Sequence, residues 1–146
     1  MQMNSYLSFN GTCEEAFAFY AQSLGGQLGP MFRYAGTSLM DQVPADWQDK
    51  VMHGSLVIGD QVLMVADVVP ERYDEPKGIS LSLQMKDTSE AERVFEALAK
   101  GGRVVMPLEK TFWAARFGMV VDRFGIPWLI NCDSPEENAM TSRDAT

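Results

Sequence analysis

The sequence is poor in the residues that most often carry metal and redox chemistry. It has one histidine, His53, and two cysteines, Cys13 and Cys132, in 146 residues. One histidine excludes a site built from two or three imidazoles of a single chain. The cysteines have no metal-type spacing and read as small apolar filler, with thiols reduced as in a cytoplasmic protein. Basic residues are also scarce: 12 Lys and Arg stand against 20 Asp and Glu, for a net charge of −8. Such a surface repels phosphate backbones and anionic lipid, which argues against nucleic acid and membrane partners. No apolar run reaches the ~20 residues of a membrane-spanning helix. The opening stretch MQMNSYLSF lacks the basic-then-apolar order of a secretory signal, so a cytoplasmic location is expected.

What is present organises itself around Thr111–Asn131, TFWAARFGMVVDRFGIPWLIN. Two runs rich in apolar residues flank Asp122-Arg123-Phe124-Gly125. Asp bonds its own backbone at the start of a turn and Gly tolerates the exit dihedrals, so the segment reads as a β-hairpin. Earlier in the chain the spacing predicts a strand at Tyr6–Phe9. A helix follows over Cys13–Leu24, capped by Thr12 with Glu15 in a capping box and ended by Gly25-Gly26. Gln27–Tyr34 is a strand broken by Gly29-Pro30, and Val51–Ile58 and Gln61–Ala66 form a hairpin around Gly59-Asp60. Between them Ala35–Lys50 is a polar loop, the best candidate for a mobile flap, and Val68–Lys77 is a linker.

The pattern then starts again. A strand at Ile79–Met85 leads to a helix capped by Thr88 or Ser89 and running to Lys100. Gly101-Gly102 ends it, a strand follows at Val104–Met106, and the Thr111–Asn131 hairpin closes the chain before a polar tail over Asp133–Thr146. Glu-Ala, Gly-Gly and hairpin recur in the same order: Glu15-Ala16 and Gly25-Gly26, then Glu90-Ala91 and Gly101-Gly102. The expected fold is therefore α+β, one domain of two β-α-β-β-β units over residues 3–67 and 78–132. One helix cannot cover both faces of a four-stranded sheet, so such units are expected to join, within the chain or across a homodimer, around a ligand pocket.

These residues resemble the vicinal oxygen chelate superfamily, which includes glyoxalase I, extradiol dioxygenases, and bleomycin and fosfomycin resistance proteins. The resemblance is to its PhnB-like branch. It is carried by Tyr6-Leu7-Ser8-Phe9-Asn10-Gly11, Glu15-Ala16, Phe19-Tyr20, Val51-Met52-His53, Leu63-Met64 and Asp67. It continues through Thr111-Phe112-Trp113, Arg116-Phe117-Gly118, Asp122, Phe124-Gly125 and Trp128. The resemblance implies a cupped sheet. Members of the branch are often labelled as similar to a demethylubiquinone methyltransferase. No glycine-rich strand-to-helix loop is present here to hold a nucleotide-like cofactor, so that label has no physical support. In metal-using relatives, His, Gln or Glu ligands come from four strand positions. On this chain those positions fall at Ser5, Met64, a residue between Gly78 and Ser82, and Leu129. None suits a divalent ion, so no metal cofactor is expected unless non-standard ligands supply one.

Several side chains admit both a chemical and a structural role. His53, on an alternating strand, is either a general base or a hydrogen-bonded strand histidine. Glu109, beside Phe112 and Trp113, is either an acid–base group or a solvated carboxylate paired with Lys110. Asp67 either binds a polar group at the cup mouth or caps a turn. Met64, Trp113, Phe117, Trp128 and Asn131 are candidates to line a pocket, with the aromatic rings equally suited to the core. Trp47 is an aromatic outlier in the polar loop and must cover the pocket or meet a partner subunit. Two function classes follow. One is a protein that binds a small organic ligand, neutral or cationic, by aromatic stacking. The other is a lyase, isomerase or dioxygenase working through His53 and Glu109 or a metal at non-standard ligands.

Overall fold

The computed structural model describes residues 1–134 and divides into two compact units, Met1–Asp74 and Glu75–Thr146. The polar tail expected from Asp133 lies, from 135 on, outside the described residues. Each unit is a four-stranded sheet with one α-helix packed on it.

In the first unit, β1 (Ser5–Phe9) leads into α1 (Cys13–Leu24), then β2 (Gln27–Arg33), β3 (Val51–Ile58) and β4 (Gln61–Asp67). The sheet order is β1-β4-β3-β2, with β1 parallel to β4 and the other pairs antiparallel. Cys13, Ala16, Phe17 and Tyr20 recur at helical spacing and are buried, which fixes α1 against the sheet. Gly25 ends the helix at φ 75°, its N–H donating to Ala21 O. The register of β2 slips between Leu28 and Met31, where the sequence places Gly29-Pro30. Ile58 and Gln61 pair around the two-residue Gly59-Asp60 turn.

Thr12 precedes the helix but makes no side-chain capping bond. The cap comes instead from the end of β4: Asp67 Oδ1 accepts from Cys13 N at 2.9 Å. A carboxylate is the stronger acceptor at the positive end of a helix, and it takes the place that the capping-box pattern assigned to Thr12. The 35–50 loop carries two short 3-10 turns, Met40–Gln42 and Ala45–Trp47. Its neck is tied by Tyr34 N to Lys50 O at 3.1 Å and Ala35 N to Gln48 O at 2.8 Å.

The second unit repeats the plan with β5 (Leu81–Met85), α2 (Thr88–Ala99), β6 (Arg103–Glu109), β7 (Ala114–Val121) and β8 (Pro127–Asp133), in sheet order β5-β8-β7-β6. The α2 cap is Asp87, just before the expected Thr88 or Ser89, with its side chain accepting from Ser89 N at 3.2 Å. Ala91, Val94 and Leu98 form the buried stripe of α2. The strand β6 extends beyond the expected Val104–Met106 by one residue at its start and three at its end, with register shifts on β7 between Val104 and Met106 and between Met106 and Glu109. Asp122 and Gly125 make the expected turn, Gly125 N donating to Asp122 O at 3.0 Å. Among the described residues no helix is long and apolar enough to cross a membrane.

Candidate functional site

Each sheet has one face under its helix and one face away from it. The helix side is marked in the first unit by Gly54, where an added Cβ would lie 3.5 Å from the Phe17 ring of α1. In the second unit it is marked by Gly118, where a Cβ would lie 2.9 Å from the Phe95 ring of α2. Side chains alternate along a strand, so His53 and Phe117, each next to one of these glycines, belong to the opposite faces.

On that face of the first unit Tyr6 stands beside Met64, Met64 opposite Ser55, and Phe32 opposite His53. The Tyr6 and His53 rings are 5.9 Å apart and tilted by 35°. Tyr6 and Phe32 are about half exposed. Burial raises the Tyr6 phenol above its ordinary pKa, with a smaller contribution from Cys13.

On that face of the second unit a row runs across the sheet: Glu109 opposite Phe117, Phe117 opposite Asn131, Asn131 beside Gln84. Asn131 Nδ2 donates to Gln84 Oε1 at 2.7 Å and to Asp133 Oδ1 at 3.1 Å. Next to the row, Thr111 closes a tight turn: its N–H donates to Ala114 O at 3.0 Å, and its Oγ1 accepts from Ala114 N at 3.1 Å. The two residues inside that turn are Phe112 and Trp113. Trp113 meets Phe112 edge-on at 4.7 Å and Phe117 edge-on at 5.4 Å. Phe112 is almost fully exposed and Trp113 is 38% exposed, so this aromatic group is ordered by its own contacts yet left open.

The fold and the residue pattern agree with a family model, the Glyoxalase/Bleomycin resistance protein/Dioxygenase superfamily, which matches residues 2–130. The chain belongs to this superfamily. It is 34% identical over 140 residues to Protein YjdN of Escherichia coli, covering 90% of this chain and 95% of that one. Protein PA1353 of Pseudomonas aeruginosa has a crystal structure that superposes with a TM-score of 0.82 at 50% identity, covering 91% of this chain and 98% of that one. The PhnB protein of Bacillus cereus superposes with a TM-score of 0.78 at 24% identity, covering 90% of this chain and 99% of that one.

Members of this superfamily that use a metal need imidazole, amide or carboxylate donors at set strand positions. Here Ser5 pairs with Leu63, which is buried on the helix side, so Tyr6 is the residue of β1 in line with Met64. In the second unit Ser82 is in line with Leu129. In the first unit these positions carry a phenol and a thioether and in the second a hydroxyl and an aliphatic chain, and neither pair is a usual donor set for a divalent ion. Among the described residues no three His, Cys, Asp or Glu side chains come together in a way that would hold a metal ion.

The remaining candidates sit elsewhere in this superfamily fold. Asp67 is 1% exposed. Its two oxygens accept from Cys13 N and, at 3.0 Å, from Val51 N, tying the helix start to the end of the long loop. Burial raises its carboxyl pKa, opposed by those N–H groups and by the Lys50 charge. Trp128 lies opposite Leu81 and Val120, 2% exposed, and its indole N–H donates to Asp122 Oδ2 at 2.8 Å. It therefore stands on the other face from Trp113 and Phe117. Trp47 packs near Gly11, with Lys50 Nζ 6.0 Å from its ring.

A concavity of about 360 Å³ opens at the start of α1 between Gly11, Glu14, Arg33, Asp46, Asp49, Lys50 and Asp67. Its lining comes from four separate stretches, so local pattern could not assemble it, although Asp67 among them is a sequence candidate to bind a polar group. Its two basic groups are engaged: Arg33 holds Glu14 through two bonds of 3.1 and 2.9 Å, and Lys50 Nζ donates to Gly11 O at 2.9 Å. The Arg33 hydrogen bond lowers the Glu14 carboxyl pKa.

Proposed function

We propose that this protein is a PhnB-like member of the superfamily that binds a small organic ligand against the open aromatic face, without the usual metal. The observation that carries this reading is the Phe112–Trp113–Phe117 group, three rings in edge-on contact of which Phe112 and Trp113 are left exposed and Phe117 is half-buried. Rings exposed in this way are well suited to stack on a planar or cationic molecule. The net charge of −8 favours a neutral or cationic ligand over an anion. The Tyr6–His53 pair, with Met64 beside it, offers a second apolar surface with two polar tips. The protein acts in the cytoplasm as a homodimer; the exposed Val104, Val105 and Met106 of β6 support the second point, being three consecutive apolar residues that a partner subunit would cover.

The test is a thermal-shift screen of chelator-treated protein against aromatic and cationic small molecules, repeated with Trp113→Ala and His53→Ala. A ligand that binds only the folded state raises the melting temperature with its concentration. Saturable shifts abolished by Trp113→Ala support the reading. Shifts that appear only when Mn²⁺, Fe²⁺, Co²⁺, Ni²⁺ or Zn²⁺ is added back overturn it.

A further inference from the structure

The amide pair beside the aromatic group goes further, because its hydrogen bonding is fixed by chemistry. Asn131 reaches two neighbours through Nδ2, Gln84 Oε1 and Asp133 Oδ1. An ionised carboxylate only accepts, so the branch of Asn131 that faces Asp133 must be its nitrogen. That removes the usual ambiguity between amide oxygen and nitrogen. Both hydrogens of Asn131 Nδ2 are then used within the protein, and the side chain has only its oxygen left to offer. Gln84 uses one lone pair of its oxygen toward Asn131, and Nε2 is the donor it has left to offer.

Neither Asn131 Oδ1 nor Gln84 Nε2 has a hydrogen-bond partner among the described residues. Gln48 Oε1 is the one fully buried side-chain polar atom without a partner there, so Asn131 Oδ1 keeps contact with solvent although Asn131 is only 8% exposed. The two residues stand beside each other on adjacent strands, roughly 4.8 Å apart. On the next strand Phe117 stands opposite Asn131, with Trp113 edge-on to it.

We infer that Asn131 and Gln84 read a neighbouring donor and acceptor on the edge of a planar ligand, as in a lactam, a primary carboxamide or an amide-bearing heterocycle. This rests on the reading of the aromatic face as a ligand surface and names the chemistry it selects. The ring of the ligand lies against Phe117 and Trp113. Its N–H donates to Asn131 Oδ1, and its carbonyl accepts from Gln84 Nε2. Asp133 is the positioning residue: it sets the orientation of Asn131 and touches no ligand. A ligand carrying acceptors only, such as a carboxylate, leaves Asn131 Oδ1 facing another oxygen and is rejected.

The experiment uses the full chain and three aromatic probes of one shape: 2-quinolone, its N-methyl derivative and naphthalene, with dissociation constants from NMR titration. The lactam is expected to bind at least about tenfold more tightly than the N-methyl compound, since loss of one hydrogen bond leaves Asn131 Oδ1 unpaired. Gln84→Leu, at an exposed position, brings 2-quinolone down toward naphthalene and leaves naphthalene unchanged. Asp133→Asn lowers the preference for the lactam over the N-methyl compound without removing the binding of either, because Asn131 is then free to turn. Equal binding of 2-quinolone and N-methyl-2-quinolone overturns the inference while the aromatic-face reading stands. Failure of all three probes, naphthalene included, overturns both.

Discussion

Two buried aspartates, one in each unit, tie separate groups together, and both work as multiple acceptors. Asp67 ties Cys13 N to Val51 N, and Asp122 Oδ1 gathers Phe124 N and Ile126 N while its Oδ2 takes the Trp128 indole. Replacing Asp67 by Ala leaves two N–H groups without their acceptor, and a loss of roughly 2–4 kcal/mol in urea unfolding is expected. Burial lifts the Asp67 pKa above its ordinary 3.8, so the folded state holds this proton more tightly than the unfolded chain. Its contribution is then fully present below the unfolded value and declines as pH rises through the folded one. The stability difference between wild type and Asp67→Asn is therefore expected to shrink as pH rises through that window. A difference that grows with pH contradicts this. Asp67 was legible in the sequence only as a strand-end residue with two roles open. Its partner Cys13 is 54 residues away, and no local pattern encodes such a bond. Asp122 was legible as a turn residue, since its first two partners lie within four positions, whereas its hold on Trp128 depends on the return of β8.

At the scale of elements, the helices and hairpins follow from spacing and turn residues, and the departures come from contacts between elements. Thr12 and Thr88 both look like caps. An aspartate performs the task in each case, once from a neighbouring strand and once from one residue earlier. The Thr-Phe-Trp pattern has a physical basis: Thr111 closes the turn that presents Phe112 and Trp113. Its openness was not legible, because the same three rings suit a core equally well. The face division was legible at His53 by alternation, but not for Trp128, whose place on the helix side depends on the register with Leu81 and Val120. Gly118 lies under the Phe95 ring of α2. A methyl there would sit 2.9 Å from both the Leu108 backbone and the Phe95 ring. Gly118→Ala is expected to cost about 1–3 kcal/mol by thermal or urea unfolding. Adding Phe95→Leu does not restore stability, because the Leu108 backbone still blocks the methyl. Full restoration by Phe95→Leu would show that the backbone yields and that the packing account is wrong. Glu92 and Arg116, at 3.2 Å, form a partly exposed ion pair of the kind that contributes little, so Glu92→Gln is expected to change stability by less than about 0.5 kcal/mol.

Across the whole molecule the repeat was the most legible feature, because the same order of Glu-Ala, Gly-Gly and hairpin signals is written twice in the sequence. The two sheets have the same strand order, and the superfamily match spans residues 2–130. The strand positions where metal-using relatives place their donors carry a different chemistry here, and the open aromatic group and the amide pair lie together in the second unit. The most direct measurement of the central claim is an NMR titration of chelator-treated protein with an aromatic and cationic fragment set, followed residue by residue. Saturable shifts centred on Trp113, Phe117, Asn131 and Gln84, unchanged by added divalent metal, are expected. Shifts that avoid these four residues, or that require a metal ion, contradict that claim.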